Sequence, residues 1–184
     1  MVISNGRKDW SPKCIAILGP ESSGKTALLK ALTSYFDAAC VEEYARQYLE
    51  HKKEGYEQAD LDVMLQGQLK NEMNARHKID AFLFCDTNAL SFYVWSMIKY
   101  GSCSNFILTK MQQMNYDLYL LCRPDLPYEH DPLRETPSQK DRQVIFDLHL
   151  KLLKKVKRPF YIVENVGDER IEKVISLLQN QFPA

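Results

Sequence analysis

Long hydrophobic runs are absent from this sequence. No apolar segment approaches the roughly 18 residues needed to cross a bilayer, and no apolar stretch near the N-terminus resembles a signal peptide. We therefore expect a cytoplasmic protein without a membrane partner. An excess of either charge is also absent, because 24 basic and 24 acidic residues give a formal net charge of zero. Duplex binding needs a basic surface, so we expect no nucleic-acid partner.

Patterns typical of disulfide frameworks and metal sites are absent too. The chain has five cysteines, an odd number, and no C-x-x-C pair. Cys14, Cys85 and Cys122 lie in or beside apolar runs, which favours buried, reduced thiols. The four histidines, at positions 51, 77, 130 and 149, have no ligand spacing, so metal binding by histidine is not expected.

Internal repeats and flexible linkers are missing as well, and 184 residues suffice for one good core but are few for two. We therefore predict a single domain over residues 1–184. Its apolar segments are of two kinds. Strand-like runs occur at Cys14–Leu18, Ala38–Val41, Ala81–Asp86, Asp117–Cys122 and Phe160–Val163. Helical spacing occurs at about residues 27–36, 41–53, 60–78, 88–100, 105–116, 138–156 and 169–181.

The alternation of strands and helices predicts an α/β fold with a mostly parallel, five-stranded sheet and helices on both faces. Strands that are continuously apolar, as here, are typical of a sheet covered on both sides. In such sheets ligands bind beyond the carboxyl ends of the strands. Gly19, Asp86 and Arg123 should all emerge at that edge.

One segment breaks the pattern. From Arg123 to Lys140 the sequence RPDLPYEHDPLRETPSQK has four prolines, several charges and no period. Loops of this length inside a domain are usually functional, so we predict a lid at about residues 123–142. A capping-box pattern at Ser138 and Asp141 predicts that a helix starts there.

The most informative motif is GPESSGKT, a complete G-x-x-x-x-G-K-[ST] that lies between a strand pattern and a helix pattern. Glycines at both ends allow successive backbone N–H groups to turn toward a polyphosphate. Lys25 can reach the β- and γ-phosphates, and the Thr26 hydroxyl can ligate Mg²⁺. We therefore predict a P-loop protein that binds a nucleoside triphosphate together with Mg²⁺. The predicted nucleotide-binding residues are Gly19, Glu21, Ser22, Ser23, Gly24, Lys25 and Thr26.

A carboxylate at the end of another strand completes such a site. Asp86 ends the run AFLFCD, where P-loop proteins place the group that holds Mg²⁺ or its waters; the alternative is that it caps the next helix. Thr87 follows, where hydrolytic P-loop ATPases often have glutamate, and this weakens an ATPase interpretation. Thr26 and Asp86 are the predicted metal ligands.

Candidate acceptor contacts follow the second strand. Glu43 and Arg46 are three residues apart in a helical pattern, so they should share a face. They form either a solvated ion pair or the wall of an acceptor pocket, with Glu43 as hydrogen-bond acceptor or general base toward a hydroxyl and Arg46 toward substrate oxygens or the phosphoryl group. Tyr44 and Trp95 are further candidate substrate contacts. The alternative for Trp95 is packing in the core.

Arginines mark the lid. Arg134 and Arg142 flank the start of the helix that follows it, and they could neutralise a transferring phosphoryl group or be solvated charges. Arg123 either contacts the nucleotide base or pairs with Asp125. The predicted catalytic residues are Lys25, Glu43, Asp86, Arg134 and Arg142.

Four blocks in this order resemble the ribosylnicotinamide kinase domain of the NadR-type proteins. They are GPESSGKT, EYARQYL at Glu43–Leu49, FLFCDTNAL at Phe82–Leu90 and YDLYLLCRPDLPYEHDPLRETPSQKDRQ at Tyr116–Gln143. The resemblance implies an ATP-dependent kinase that uses Mg²⁺ and phosphorylates the ribose 5′-hydroxyl of nicotinamide riboside, giving nicotinamide mononucleotide for NAD salvage.

The resemblance also implies roles for single residues. Lys25 and Thr26 would hold the phosphates and the metal. Glu43 and Asp86 would address the riboside or the metal. Arg134 and Arg142 would be the lid arginines.

Multifunctional NadR-type proteins also carry a helix-turn-helix and an adenylyltransferase domain ahead of the kinase. Residues 1–13 precede the first strand pattern here, so we expect neither domain. Another nucleoside or deoxynucleotide kinase is an alternative, since the same residues would serve any ribose hydroxyl or phosphate acceptor. A nucleotide-dependent switch or binding ATPase is another, although the chain lacks the N-K-x-D element of guanine-specific switches.

Overall fold

Strands and helices alternate along the chain in the computed structural model, which describes residues 12–52, 55–76 and 81–183. The strands are β1 Lys13–Leu18, β2 Ala39–Val41, β3 Phe82–Asp86, β4 Leu118–Cys122 and β5 Phe160–Val163. The helices are α1 Lys25–Phe36, α2 Tyr44–Lys52, α3 Gln58–Arg76, α4 Ala89–Tyr100, α5 Asn105–Gln113, α6 Gln139–Val156 and α7 Gly167–Gln181.

The five strands form one sheet in the order β2-β3-β1-β4-β5. Every pair is parallel, so the sheet is more regular than the mostly parallel one predicted. The chain adds β2 and β3 on one side of β1 and then crosses to place β4 and β5 on the other. This reversal creates a switch point at the carboxyl end of β1, where α/β sheets bind ligands.

Both faces of the sheet are buried, because successive side chains of a strand point to opposite sides. In β1, Ala16 and Leu18 join the core formed with α2 to α6, whereas Ile15 and Ile17 pack with α1 and α7. Within the described ranges, no helix combines the length and the apolar composition that crossing a bilayer would require. The five cysteines are free thiols, and the three predicted to be buried are buried.

Two predicted helix bounds are wrong. The helix predicted from Val41 begins at Tyr44 instead, because Val41 is the last residue of β2 and pairs with Cys85. Glu43 therefore precedes the helix and does not share a helical face with Arg46. The helix predicted to reach residue 116 ends at Gln113, and Tyr116 is buried in the core. The predicted end of α3 at residue 78 lies outside the described residues.

The start of α6 confirms the predicted cap. The Ser138 side chain accepts a hydrogen bond from the backbone N–H of Asp141. Because α6 begins at Gln139, the irregular segment after β4 covers residues 123–138. We call residues 123–138 the lid.

Gly67 lies inside α3, where glycine is unfavourable, and it is needed for packing. A Cβ atom built at Gly67 would overlap the aromatic ring of Tyr44 in α2. Tyr44 is also held at this position by its backbone N–H, which donates to Gln68 Oε1 at 2.9 Å.

We expect Gly67→Ala to destabilise the protein, measured as the free energy of unfolding in urea. Overpacking costs roughly 1–3 kcal/mol, which exceeds the gain of about 1 kcal/mol from better helix propensity. In a Tyr44→Ala background the ring is gone, so the same substitution should stabilise the protein by up to about 1 kcal/mol. An equal effect of Gly67→Ala in both backgrounds would contradict this account.

Candidate functional site

The loop between β1 and α1 wraps tightly at the switch point. Gly19 has φ 141°, and a Cβ atom there would lie 2.6 Å from the carbonyl oxygen of Cys122 in β4, so only glycine fits. Ser23 Oγ donates to the Pro20 carbonyl at 2.7 Å. Lys25 Nζ donates to the carbonyls of Gly19 and Pro20, both at 3.0 Å. The lysine ammonium thus lies against the loop at the start of α1.

This loop forms one end of a cavity of about 510 Å³, a volume typical of small-molecule sites. The other walls come from the start of α2, successive turns of α4, the lid and the middle of α6. Predicted site residues that line the cavity are Gly19, Glu21, Ser22, Ser23, Gly24, Lys25, Thr26, Glu43, Arg46, Trp95 and Arg134. The fold therefore brings most of the predicted residues to one place.

Two carboxylates lie next to the loop. Asp86, at the end of β3, is buried, and its Oδ2 accepts a hydrogen bond from Thr26 Oγ1 at 3.0 Å. Its Oδ1 is buried too and has no hydrogen-bond partner in the described part of the chain. Burial raises the pKa of Asp86. Burial likewise raises the pKa of Glu43, and the negative charge of Asp86 adds to this effect. The positive charge of Lys25 acts in the opposite direction on both carboxylates but does not cancel these effects.

The lid is docked on the loop by polar contacts. The Glu21 carboxylate accepts hydrogen bonds from the backbone N–H groups of Glu135 and Thr136, at 3.0 and 2.8 Å. Arg134 Nη1 donates to Ser22 Oγ at 2.9 Å and to the carbonyl of Glu129 at 2.7 Å. The lid therefore closes one side of the cavity directly beside the loop.

Arg142 reaches the same loop from the first turn of α6. It is only 2% exposed, and its Nη1 donates to the carbonyl of Leu126 at 3.1 Å and to that of Ser22 at 3.4 Å. Its Nη2 donates to Gln139 Oε1. Both predicted lid arginines thus approach Ser22, one from the lid and one from the helix behind it.

Arg46 pairs with the lid and not with Glu43. Its Nη2 lies 2.5 Å from Asp131 Oδ2, and its Nη1 lies 3.9 Å from Glu50. The solvated Glu43–Arg46 pair considered from the sequence is therefore not formed. Arg46 links α2 to the lid, while Glu43 faces the cavity from the turn before α2.

The two aromatic candidates differ in position. Tyr44 lies against Gly67, outside the lining of the 510 Å³ cavity. Trp95 lines the cavity, and its indole N–H donates to Tyr56 Oη at 2.8 Å. Its ring also stacks on Phe92, with centroids 5.8 Å apart. Trp95 thus combines core packing with a place in the cavity wall.

Arg170 and Arg123 have partners that the sequence did not predict. Arg170, in α7, donates to the carbonyl of Ser23 at 2.6 Å and pairs with Asp125 at 3.1 Å. Arg123 pairs instead with Glu164 at 3.1 Å. Sequence reasoning missed Arg170, because no motif connects it to the loop. The predicted Arg123–Asp125 alternative is wrong, since Asp125 is used by Arg170.

Ser91 and His149 were also missed. Both line the cavity, and the His149 ring nitrogen Nε2 lies 3.1 Å from Ser91 Oγ. Neither residue belongs to a local motif, and helical periodicity places both on apolar helices. Only the packing of α4 against α6 brings them together.

Comparisons with known proteins agree with this geometry. The family model described as AAA domain matches residues 14–170. The trifunctional NAD biosynthesis/regulator protein NadR of Salmonella typhimurium is 27% identical over 180 residues, which cover 95% of this chain and 44% of that protein. The chain thus spans less than half the length of this curated relative. The homology confirms the resemblance predicted from the four sequence blocks.

Solved structures share the fold. A NadR structure in complex with NR has a TM-score of 0.78 at 21% identity, covering 92% of this chain and 51% of that one. Deoxyadenosine kinase from M. mycoides, with products dCMP and a flexible dCDP bound, has a TM-score of 0.63 at 14% identity, covering 91% and 99%. The chain belongs to the AAA domain family of P-loop proteins, and its fold is the nucleotide-kinase fold of NadR and deoxyadenosine kinase.

Proposed function

We propose that this protein is an ATP-dependent kinase that transfers the γ-phosphoryl group to the 5′-hydroxyl of nicotinamide riboside. The proposal rests on one observation, which is that the phosphate loop, Glu43 and Trp95 line the same cavity. A donor site for phosphate, a base for a hydroxyl and an aromatic wall for a flat ring thus lie together. The NadR homologue, whose structure was determined with NR, supports the choice of acceptor.

ATP would be held by the loop and the first turn of α1. The backbone N–H groups at a helix N-terminus favour an anion, and Lys25 adds a full positive charge. Lys25 Nζ now donates to two loop carbonyls, and phosphate oxygens would replace them as stronger, charged acceptors. Glu21 and Ser22 contribute from the same loop by holding the lid.

The residues present fit a magnesium ion. The free buried Oδ1 of Asp86 and the Thr26 hydroxyl are oxygen ligands of the kind Mg²⁺ prefers. Within the described ranges, no group of three or more His, Cys, Asp or Glu residues is placed to hold a metal, so phosphate and water would supply the other ligands. Bound there, the ion would neutralise phosphate charge.

Glu43 would act as the general base. It faces the cavity, and its raised pKa brings its basicity closer to the value useful near neutral pH. The carboxylate would accept the proton of the acceptor hydroxyl as that oxygen bonds to the γ-phosphorus and the bond to the β-phosphate oxygen breaks. Arg134 and Arg142 would stabilise the charge on the transferring group from the lid side.

Another nucleoside kinase activity is a second candidate with its own support. The match to deoxyadenosine kinase covers 91% of this chain and 99% of that enzyme, whereas the NadR matches cover about half of NadR. The same donor site and base would serve any acceptor with a 5′-hydroxyl. The choice of acceptor would therefore depend on the part of the cavity that contacts its sugar and base.

We expect the purified protein to consume ATP several-fold faster with nicotinamide riboside than without it, because transfer to the riboside should exceed transfer to water. A coupled assay with a panel of nucleosides measures the rates, and mass spectrometry identifies the phosphorylated product. Equal rates with the riboside, the other nucleosides and water alone would contradict the proposal. A faster rate with another nucleoside would favour the second candidate.

Arg134→Ala should lower kcat roughly 100- to 1000-fold while changing the KM for ATP much less, because a lid arginine acts mainly on the transition state. Steady-state kinetics with saturating acceptor measure both. Arg123→Ala is the matched control, since Arg123 pairs with Glu164 and does not line the cavity. An unchanged kcat in Arg134→Ala would remove Arg134 from the mechanism.

Asp86→Asn should abolish the part of the thermal stabilisation by ATP that depends on Mg²⁺, because the amide lacks the charge that binds the ion. Without ligand, the variant should be at least as stable as the wild type, since it no longer buries a carboxylate. Melting curves with ATP, in magnesium or in EDTA, measure the difference. Asp117→Asn, at the opposite edge of the sheet, should keep the Mg²⁺-dependent shift; the same shift in Asp86→Asn would refute the metal assignment.

A further inference from the structure

Helices α4 and α6 form a largely apolar wall of the cavity. Val94, Trp95 and Ile98 of α4 and Ile145 of α6 belong to it. The polar side chains that these helices add to the lining are Lys99, which pairs with Glu135 of the lid, and the pair Ser91 and His149. His149 is only 2% exposed, so its ring nitrogens need hydrogen-bond partners, which the Ile145 carbonyl and the Ser91 hydroxyl supply.

The hydrogen bonds of His149 determine which of its nitrogens carries the proton. Nδ1 lies 2.8 Å from the carbonyl oxygen of Ile145, which can only accept, so Nδ1 is the protonated nitrogen. Burial lowers the pKa of His149 to about 4, and the nearby positive charge of Lys25 acts in the same direction. The ring is therefore neutral near pH 7, and Nε2 carries only a lone pair.

The state of His149 fixes the orientation of the Ser91 hydroxyl. Because Nε2 can only accept, Ser91 Oγ must donate its hydrogen across the 3.1 Å contact. Within the described ranges, the structure pairs Ser91 Oγ with no other side chain. The hydrogen of the hydroxyl is used in this bond, and only the lone pairs of the oxygen remain. Ser91 can therefore only accept a hydrogen bond from a ligand in the cavity. A ligand group that meets it must be a hydrogen-bond donor.

The position of Ser91 identifies the part of the acceptor that it meets. Ser91 lies in the first turn of α4, next to the end of β3, and Trp95 lies one turn farther along the same face. An acceptor with its 5′-hydroxyl at Glu43 and its base against Trp95 would have its sugar between them. The influence of Lys25 on His149 likewise places the pair toward the phosphate end of the cavity.

We propose that Ser91, oriented by His149, accepts a hydrogen bond from a secondary hydroxyl of the acceptor's sugar and so selects ribosides over deoxyribosides. This inference rests on the proposed function only in requiring a nucleoside acceptor. It assigns Ser91 as a specificity residue and His149 as a positioning residue. It also bears on the choice between the two candidate functions, since a deoxynucleoside lacks one of these hydroxyls.

The experiment compares matched acceptors in wild type and Ser91→Ala. The acceptors are nicotinamide riboside with its 2′- and 3′-deoxy analogues, and adenosine with 2′- and 3′-deoxyadenosine. Both kcat/KM and the equilibrium Kd from titration calorimetry are measured. We expect the wild type to prefer the riboside over one deoxy analogue by about tenfold, which is the worth of one good hydrogen bond, and Ser91→Ala to abolish that preference.

Three variants control for structural effects. Ser96→Ala makes the same change in α4 outside the cavity lining and should keep the preference. Ser91→Thr retains a hydroxyl and should keep the preference for the riboside. His149→Phe should lose the preference as Ser91→Ala does. The double variant with both substitutions should lose no more, since His149 acts through Ser91. Because the preference is a ratio within each variant, partial unfolding does not change it.

The outcomes separate the two proposals. A preference for the riboside that survives in Ser91→Ala overturns the inference, whichever base is accepted. Equal binding of ribosides and deoxyribosides by the wild type overturns it as well. Rejection of nicotinamide riboside, combined with a Ser91-dependent preference for adenosine over its deoxy analogues, would overturn only the proposed acceptor.

Discussion

The parallel pairing of β1 between β3 and β4 is the constraint on which the site depends. It aligns Ile17 with Asp86 on one side and Leu18 with Leu121 on the other, so the three strands end at the same level. The phosphate loop, the buried carboxylate and the start of the lid therefore leave the sheet together. A one-residue slip of β3 would turn the Asp86 side chain to the other face and separate it from Thr26.

Charge is distributed unevenly over the cavity. At one end, Lys25 and Glu43 line the cavity, and Asp86 is buried beside the phosphate loop, where little water screens its charge. Burial raises the pKa values of both carboxylates, although the charge of Lys25 acts in the opposite direction. Arg134 of the lid and Arg142 of α6 approach the same end of the cavity. A bound metal–nucleotide complex would bring the positive charge of the metal to the two carboxylates. It would bring the negative charge of the phosphates to Lys25 and the two arginines.

Part of the remaining wall offers hydrogen-bonding groups without charge. A buried, neutral imidazole and a serine hydroxyl provide direction, which would suit the hydroxyl groups of a sugar. Held by Phe92 and Tyr56, Trp95 provides a rigid wall at little entropic cost, because its ring is already fixed. In the proposed kinase, the charged groups would serve the phosphate donor, and the serine hydroxyl and the indole would serve the sugar and the ring of the acceptor.

The lid is fixed by contacts that are easily exchanged. Glu21 holds two lid N–H groups, Arg46 pairs with Asp131, and both contacts involve partly exposed groups. Exposed ion pairs contribute little to stability, so these contacts can open at small cost. In the proposed kinase, a lid of this kind would admit substrate and then exclude water during transfer.

The sequence by itself determined the features that depend on local chemistry. The octapeptide Gly19–Thr26 predicted the phosphate loop, the apolar runs predicted all five strands within about a residue, and Ser138 predicted the cap of α6. These signals are readable because periodicity, glycine and capping act between residues close in the chain.

Only the tertiary structure decided the partners that lie far apart in the chain. It paired Arg46 with Asp131, brought Arg170 to Ser23, and set His149 against Ser91. It also placed Glu43 before α2, because pairing of β2 with β3 overrides the helical pattern that begins at Val41. The physical reason is that such contacts arise from the packing of helices on a sheet, and the spacing of residues along one segment contains no information about them.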